Sequence, residues 1–159
     1  MVMRKCAMRL SLFLLALLLC PSSQSQEAGD KFDPSRDAEK DIQAAITKAR
    51  QTHQRILLDV GGEWCGWCHT LDRFFKEHAS LKSLRDQNYI WVKVNVSPEN
   101  ENKAVLSRYP EIKGYPHLFV LEEDGELLYS QDTSPLELGA SYDLQKFFTF
   151  LRKWAPEKK

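Results

Sequence analysis

The 159-residue sequence predicts an α/β domain, a mixed central sheet flanked by helices on both faces. Three observations carry this. Strand-like apolar runs alternate with helical periodicity, which is the pattern of crossover connections over a sheet. One run, RILLDVG over 55–61, is apolar on both faces at Ile56, Leu57, Leu58 and Val60, as a strand buried on both faces must be. The last strand pair is a hairpin, which adds an antiparallel edge, and an amphipathic helix follows it.

The elements follow in order. From Asp33-Pro34 the text DPSRDAEKDIQAAITKARQTHQ reads as a helix with Asp33 as cap and Pro34 in the first turn. Ile42, Ala45, Ile46 and Ala49 recur at helical spacing. The strand at 55–61 ends in Gly61-Gly62. A helix from about Cys65 turns Leu71, Phe74 and Phe75 inward, and SLKSLRDQ forms a short second helix. YIWVKVNV, 89–96, is aromatic and β-branched and reads as a strand. SPENENKAVLSRY, 97–109, is expected to be a capped helix. HLFVLEEDGELLYSQ is a hairpin turning at Glu123-Asp124-Gly125. YDLQKFFTFLRKW is a helix burying Leu144, Phe147, Phe148 and Leu151. There is no repeat and no low-complexity linker.

The first 25 residues have the order of a secretory signal: cationic MVMRKCAMR, apolar LSLFLLALLLC, then PSSQS with small residues Ser23 and Ser25 before a cut after Ser25. The apolar run is shorter than the roughly 20 residues a bilayer needs. A lipoprotein site at Cys20 is the rival, against which stands the bulky Leu19 before it. Cleavage would leave 134 residues, without Cys6, Cys20 or any methionine. Loss of Arg4, Lys5 and Arg9 from the 22 cations leaves 19 against 22 acidic residues, a net charge of −3. So mildly acidic a chain has no electrostatic footprint for nucleic acid. Residues 26–37 are read as a flexible segment, 38–156 as one domain, and nothing suggests more than a monomer in a periplasmic or secreted setting.

The two remaining cysteines stand in WCGWCH, 64–69. They enclose only Gly66 and Trp67, and so short a loop gains little entropy from closure, which favours chemistry over stapling. Two chemistries share the letters: a redox dithiol, or C-x-x-C-H attachment of a c-type haem. Haem would need a second axial ligand from His53, His78 or His117. A metal site of Cys65, Cys68, His69 and a distant histidine is a third reading. The dithiol reading uses the position of the motif between a strand end and a helix start. There the first sulfur meets the unpaired N–H groups and positive dipole end of the helix, which favour the thiolate. Cys65 is then the nucleophile and Cys68 the resolving thiol.

LLDVGGEWCGWC, WVKVNV and IKGYPHLFVLEEDG together resemble proteins of the thioredoxin fold, over roughly residues 38–154. The resemblance is greatest to exported thioredoxin-like proteins, such as the periplasmic domain of thiol:disulfide interchange transporters. It implies that Asp59 is a buried carboxylate managing the proton of Cys68, that Lys93 neighbours it, and that Pro116 is a cis-proline facing the disulfide. The Tyr115 backbone would pair with an incoming chain, and Trp64 and Trp67 would flank the client. Gly66, Trp67 and His69 would tune the potential. The sequence departs from the pattern at Gly61-Gly62, which replace bulkier residues. It departs also at Trp67, where cytosolic thioredoxins carry proline, and at His69, where they carry lysine. The expectation is an exported reductant of protein disulfides, re-reduced by a membrane thiol transporter. Its electrons would be held in the cysteine pair without a bound cofactor. An oxidase or isomerase, or a module that binds clients without catalysis, are the alternatives.

Overall fold

The computed structural model describes residues 31–157, so the leader and its cleavage or lipidation site lie outside the described residues. Five helices and a four-stranded sheet make up the core of the described chain: α1 (Ala38–Thr52), β1 (Arg55–Gly61), α2 (Gly66–Glu77), α3 (Ala79–Asn88), β2 (Tyr89–Asn95), α4 (Lys103–Leu106), β3 (His117–Leu121), β4 (Leu127–Asp132) and α5 (Leu144–Lys153). A two-stranded ribbon, β5 (Glu137–Leu138) and β6 (Ser141–Tyr142), lies between β4 and α5. Among the described residues no helix is long and apolar enough to cross a membrane.

The sheet order is β2-β1-β3-β4, with β1 parallel to β2 and antiparallel to β3, and β3 antiparallel to β4. It is the mixed sheet expected. Strand periodicity divides the core into two layers. Leu57, Leu118 and Val120 face Leu71, Phe74 and Phe75 of α2 and Phe147 and Leu151 of α5. Ile56, Leu58, Val60, Phe119 and Leu121 face Ile42, Ala45 and Ala49 of α1 on the other side. Asp59 and Gly61 share the parity of Leu57, so both look toward α2. The parallel register sets Lys93 directly opposite Asp59.

Several boundaries differ from expectation. The α1 cap is Asp37, whose side chain accepts from the amides of Glu39 and Lys40. Asp33 instead accepts from the amide and hydroxyl of Ser35 and closes a separate turn. Residues 31–37, placed in a flexible segment by the sequence reading, make specific contacts. Phe32 is only 1% exposed. The helix expected over 97–109 shrinks to one turn: the Asn95 and Asn102 side-chain amides bond the nearby Asn100 and Asn95 carbonyls, an alternative to helix formation, and Asn100 donates to the remote carbonyls of Pro34 and Arg36. In α5 the buried residues are Phe147, Phe150 and Leu151, while Leu144 and Phe148 are half-buried. The hairpin turns where expected, with Gly125 at φ 94° against Ile46.

Truncating a fully enclosed ring leaves a cavity, so Phe147→Ala is expected to lower stability by about 3–5 kcal/mol. Phe148→Ala, on the half-buried side under Arg152, is expected to cost less than half of that. Urea unfolding of both variants decides between this face of α5 and the one the sequence implied.

Candidate functional site

The site forms where β1 runs out into Gly61-Gly62 and α2 begins. Cys65 is the N-cap of α2 in extended conformation, and its sulfur accepts from the Cys68 amide at 3.1 Å. An unpaired helix-start N–H thus points at the first sulfur. Cys65 and Cys68 are joined as a disulfide. Cys65 is nearly buried and Cys68 fully so. An approaching sulfur therefore meets Cys65 first.

The two glycines that depart from the family pattern each permit a close approach. A Cβ on Gly61 would stand 2.5 Å from the Cys68 sulfur and 3.1 Å from the Phe32 ring. A Cβ on Gly62 would collide with the Trp64 indole and come within 2.8 Å of the Val96 carbonyl. That carbonyl accepts from Trp64 Nε1 at 2.6 Å, which holds the indole across the end of β2. Trp64 stays 59% exposed and meets Tyr115 edge-on at 5.6 Å. The Tyr115–Pro116 peptide is cis, and the Pro116 carbonyl accepts from the buried Thr133 hydroxyl at 2.7 Å. Trp67 turns to the other flank, edge-on to Tyr142 at 5.3 Å. Beyond Trp64 and Tyr115 opens a groove of about 770 Å³ floored by Val96, Pro98 and Leu106. A Cβ at Gly66 would meet open space.

Behind the disulfide lies a buried charge group. Asp59 is fully buried, and Lys93 Nζ donates to its Oδ2 at 2.9 Å and to Asp72 Oδ1 at 2.7 Å. Lys93, which the resemblance places beside the Asp59 carboxylate, is itself buried. Asp72 was missed altogether. It lies one turn beyond Cys68 on the inward stripe of α2, and a carboxylate on an apolar helix face was the available signal. Three groups, two acidic and one basic, cannot all be charged without a net negative interior. Burial pushes the Asp59 carboxyl above its ordinary range against the pull of Lys93. Asp72 keeps contact with solvent while it shares the Lys93 ammonium. Burial alone would lower the Lys93 pKa, but its two carboxylates outweigh that and raise it. Asp59 Oδ1 has no partner among the described residues.

His69 lies on the outer side of the turn, its Nε2 2.7 Å from the Glu63 carbonyl. That commits the ring to the backbone and turns it from the sulfurs. The other candidate haem ligands are engaged elsewhere. His78 bonds the Phe74 carbonyl, His53 caps the far end of α1, and His117 pairs with Ser130 Oγ at 2.8 Å on the α1 face of the sheet. Among the described residues no three His, Cys, Asp or Glu side chains converge as a metal site.

The family model described as thioredoxin-like matches residues 37–122, just over half of the chain. A protein disulfide-isomerase of Ricinus communis is 26% identical over 121 residues, 76% of this chain and 22% of that protein. The thiol:disulfide interchange protein DsbD of Pseudomonas fluorescens is 28% identical over 129 residues, 80% and 21%. The chain spans about a fifth of the length of these curated relatives. Among solved structures, the disulphide isomerase from Xylella fastidiosa Temecula1 superposes with a TM-score of 0.63 at 25% identity, over 77% of this chain and 94% of that one. The oxidised C-terminal domain of Neisseria meningitidis DsbD gives 0.56 at 20% identity over 74% and 96%, a likeness of fold. The chain belongs to the thioredoxin-like family, with its cysteine pair at Cys65 and Cys68.

The raised Asp59 pKa sets a pH dependence. A carboxyl whose folded pKa lies above its unfolded value of about 3.8 favours the fold below that value. The contribution is lost as pH rises through the folded pKa. Asp59→Asn is therefore expected to raise the Tm at neutral and alkaline pH, with the gain shrinking toward pH 4. Melting curves across that range check it; a destabilised variant at pH 8 would contradict the assignment.

Proposed function

We propose that this member of the thioredoxin-like family exchanges thiols and disulfides with exported proteins, acting as their reductant. The observation that carries the reading is the buried charge group behind the pair, joined to an almost buried Cys65 capping a helix. The reduced Cys65 thiolate attacks a client disulfide, forming a mixed disulfide and releasing one client sulfur as thiolate. Asp59 Oδ1 takes the Cys68 proton. The Cys68 thiolate attacks the Cys65 sulfur, the intramolecular disulfide closes and the second client sulfur leaves. Two electrons pass from the cysteine pair to the client, so no bound cofactor is invoked.

The proposed direction is supported by where the charges near the pair are held. A strongly oxidising pair is one whose reduced, thiolate form is stabilised. Here Lys93 is shared by two carboxylates, and the His69 ring is bound to the Glu63 carbonyl. With Lys93 held by its two carboxylates, the helix-start amide is the support left to the Cys65 thiolate, and the disulfide is comparatively stable. A reductant must be recharged. A membrane thiol transporter fits that need, and the similarity to a thiol:disulfide interchange protein supports it. The leader pattern at 1–25 supports export. Trp64, Tyr115 and Pro116 form one wall for the client and Trp67 the other, with the Tyr115 backbone to pair with an extended chain. A second reading, isomerase or oxidase, is favoured by the names of the Ricinus and Xylella relatives.

Cys68→Ala is expected to accumulate clients bound through Cys65, and Cys65→Ala none, on non-reducing gels of cells expressing each variant. Equal trapping by both, or by neither, would contradict the roles. Rapid alkylation of wild-type cells should find the pair reduced at steady state; a fully oxidised pair would favour the second reading.

A further inference from the structure

Phe32 stands outside every element of the fold yet is 1% exposed. It shares a cluster with Cys65 and Cys68. The Lys93 Nζ lies 3.9 Å from its ring centroid, and the ring edge stands 3.1 Å from where a Gly61 Cβ would be, beside the Cys68 sulfur at 2.5 Å. It therefore touches both ends of the path from the Cys68 sulfur to the Asp59–Lys93 pair. The segment carrying it is tied down at several points. The Phe32 amide donates to Glu63 Oε1 at 2.8 Å, in the turn that leads into the motif. Asn100 Nδ2 donates to the carbonyls of Pro34 and Arg36, and Arg36 pairs with Asp41 through two bonds.

We propose that Phe32 is a positioning residue for proton transfer at the dithiol, a ring laid over Lys93 and Cys68 that keeps water from their path to Asp59. The claim rests on the exchange reading above for its meaning in turnover. With the ring in place, the cheapest acceptor for the Cys68 proton is the unpartnered Asp59 Oδ1 rather than solvent. The ring face also stabilises the lysine charge without supplying a competing acceptor. The ionisable groups facing the path are few and fixed. Lys93 comes from β2 and Asp72 from α2. Arg85 of α3 lies over Trp91 and Phe75 and acts on Asp59 from a distance. Tyr142 of β6 has a phenol that burial keeps neutral. Glu63 is engaged by the Phe32 amide. None of these replaces the ring as a barrier. Gly61 belongs to the same device, since any side chain there would displace Phe32 or Cys68.

The test compares wild type with Phe32→Ala and the milder Phe32→Val in the full mature chain. The Asp59 carboxyl is titrated by carbon NMR in the oxidised protein. In parallel, the rate at which Cys68 releases a small thiol held on Cys65 is followed against pH. Water admitted beside Asp59 removes the main cause of its raised pKa. Its midpoint is therefore expected to fall by about one unit or more in Phe32→Ala. The smaller fall in Phe32→Val carries the test if the alanine variant does not fold. The rise of release rate with pH should move down by the same amount. An Asp59 midpoint unmoved in a folded variant overturns the proposal, as does a moved midpoint with an unmoved release profile. A wild-type protein that forms no mixed disulfide sinks the exchange reading instead, while the midpoint shift still upholds the shield.

Discussion

The buried contact between Asp59, Lys93 and Asp72 is the constraint on which the rest of the site depends. Two carboxylates share one ammonium in a place from which water is nearly excluded. A charge there is costly unless paired and hydrogen-bonded. The fold meets that cost through register: parallel pairing of β1 and β2 sets Lys93 beside Asp59, and the inner stripe of α2 supplies Asp72. The same helix holds Cys65 at its cap and Cys68 one turn inside. Moving any of the three elements would separate the charges and the sulfurs together.

The surroundings divide the work of the two sulfurs. Cys65 receives the helix-start amide and clusters with Tyr115 of the cis-proline segment, which with Trp64 lines the open groove. Cys68 faces inward, toward Gly61, Phe32 and the charge group. In the proposed exchange, one sulfur would meet the client and the other the proton acceptor. The adjacent glycines, Gly61 and Gly62, serve opposite sides of this division, one for Phe32 and Cys68, the other for the Trp64 indole.

Much of this was legible in the sequence, and the failures have physical causes. The strand at 55–61 was readable to its ends because it is apolar on both faces, as a strand buried on both must be, and stops at glycine. The cis-proline, the buried Asp59 and the helix start at the motif came from local patterns of the family. Residues whose role depends on remote partners escaped. Phe32 sits among polar residues, and no period shows that a single ring folds back onto a lysine 61 positions away. Asp72 lay on an apolar stripe but reads as an ordinary helix carboxylate until Lys93 is placed. The helix expected over 97–109 failed because asparagine side chains compete for backbone hydrogen bonds, an effect that composition hints at but does not locate. Asp33 and Asp37 both carry the chemistry of a cap, and only the chain path decides between them.

The central claim of the proposal is that the pair acts as a reductant, with Lys93 held by Asp59 and Asp72 rather than by the Cys65 sulfur. It is tested most directly by the equilibrium midpoint potential of the mature protein, titrated in defined dithiol buffers and read through the fluorescence of Trp64 and Trp67. The account predicts a value near the roughly −270 mV of thioredoxin. A value near the roughly −120 mV of the oxidant DsbA would contradict it, and would mean that the thiolate is stabilised by a charge that the geometry assigns elsewhere.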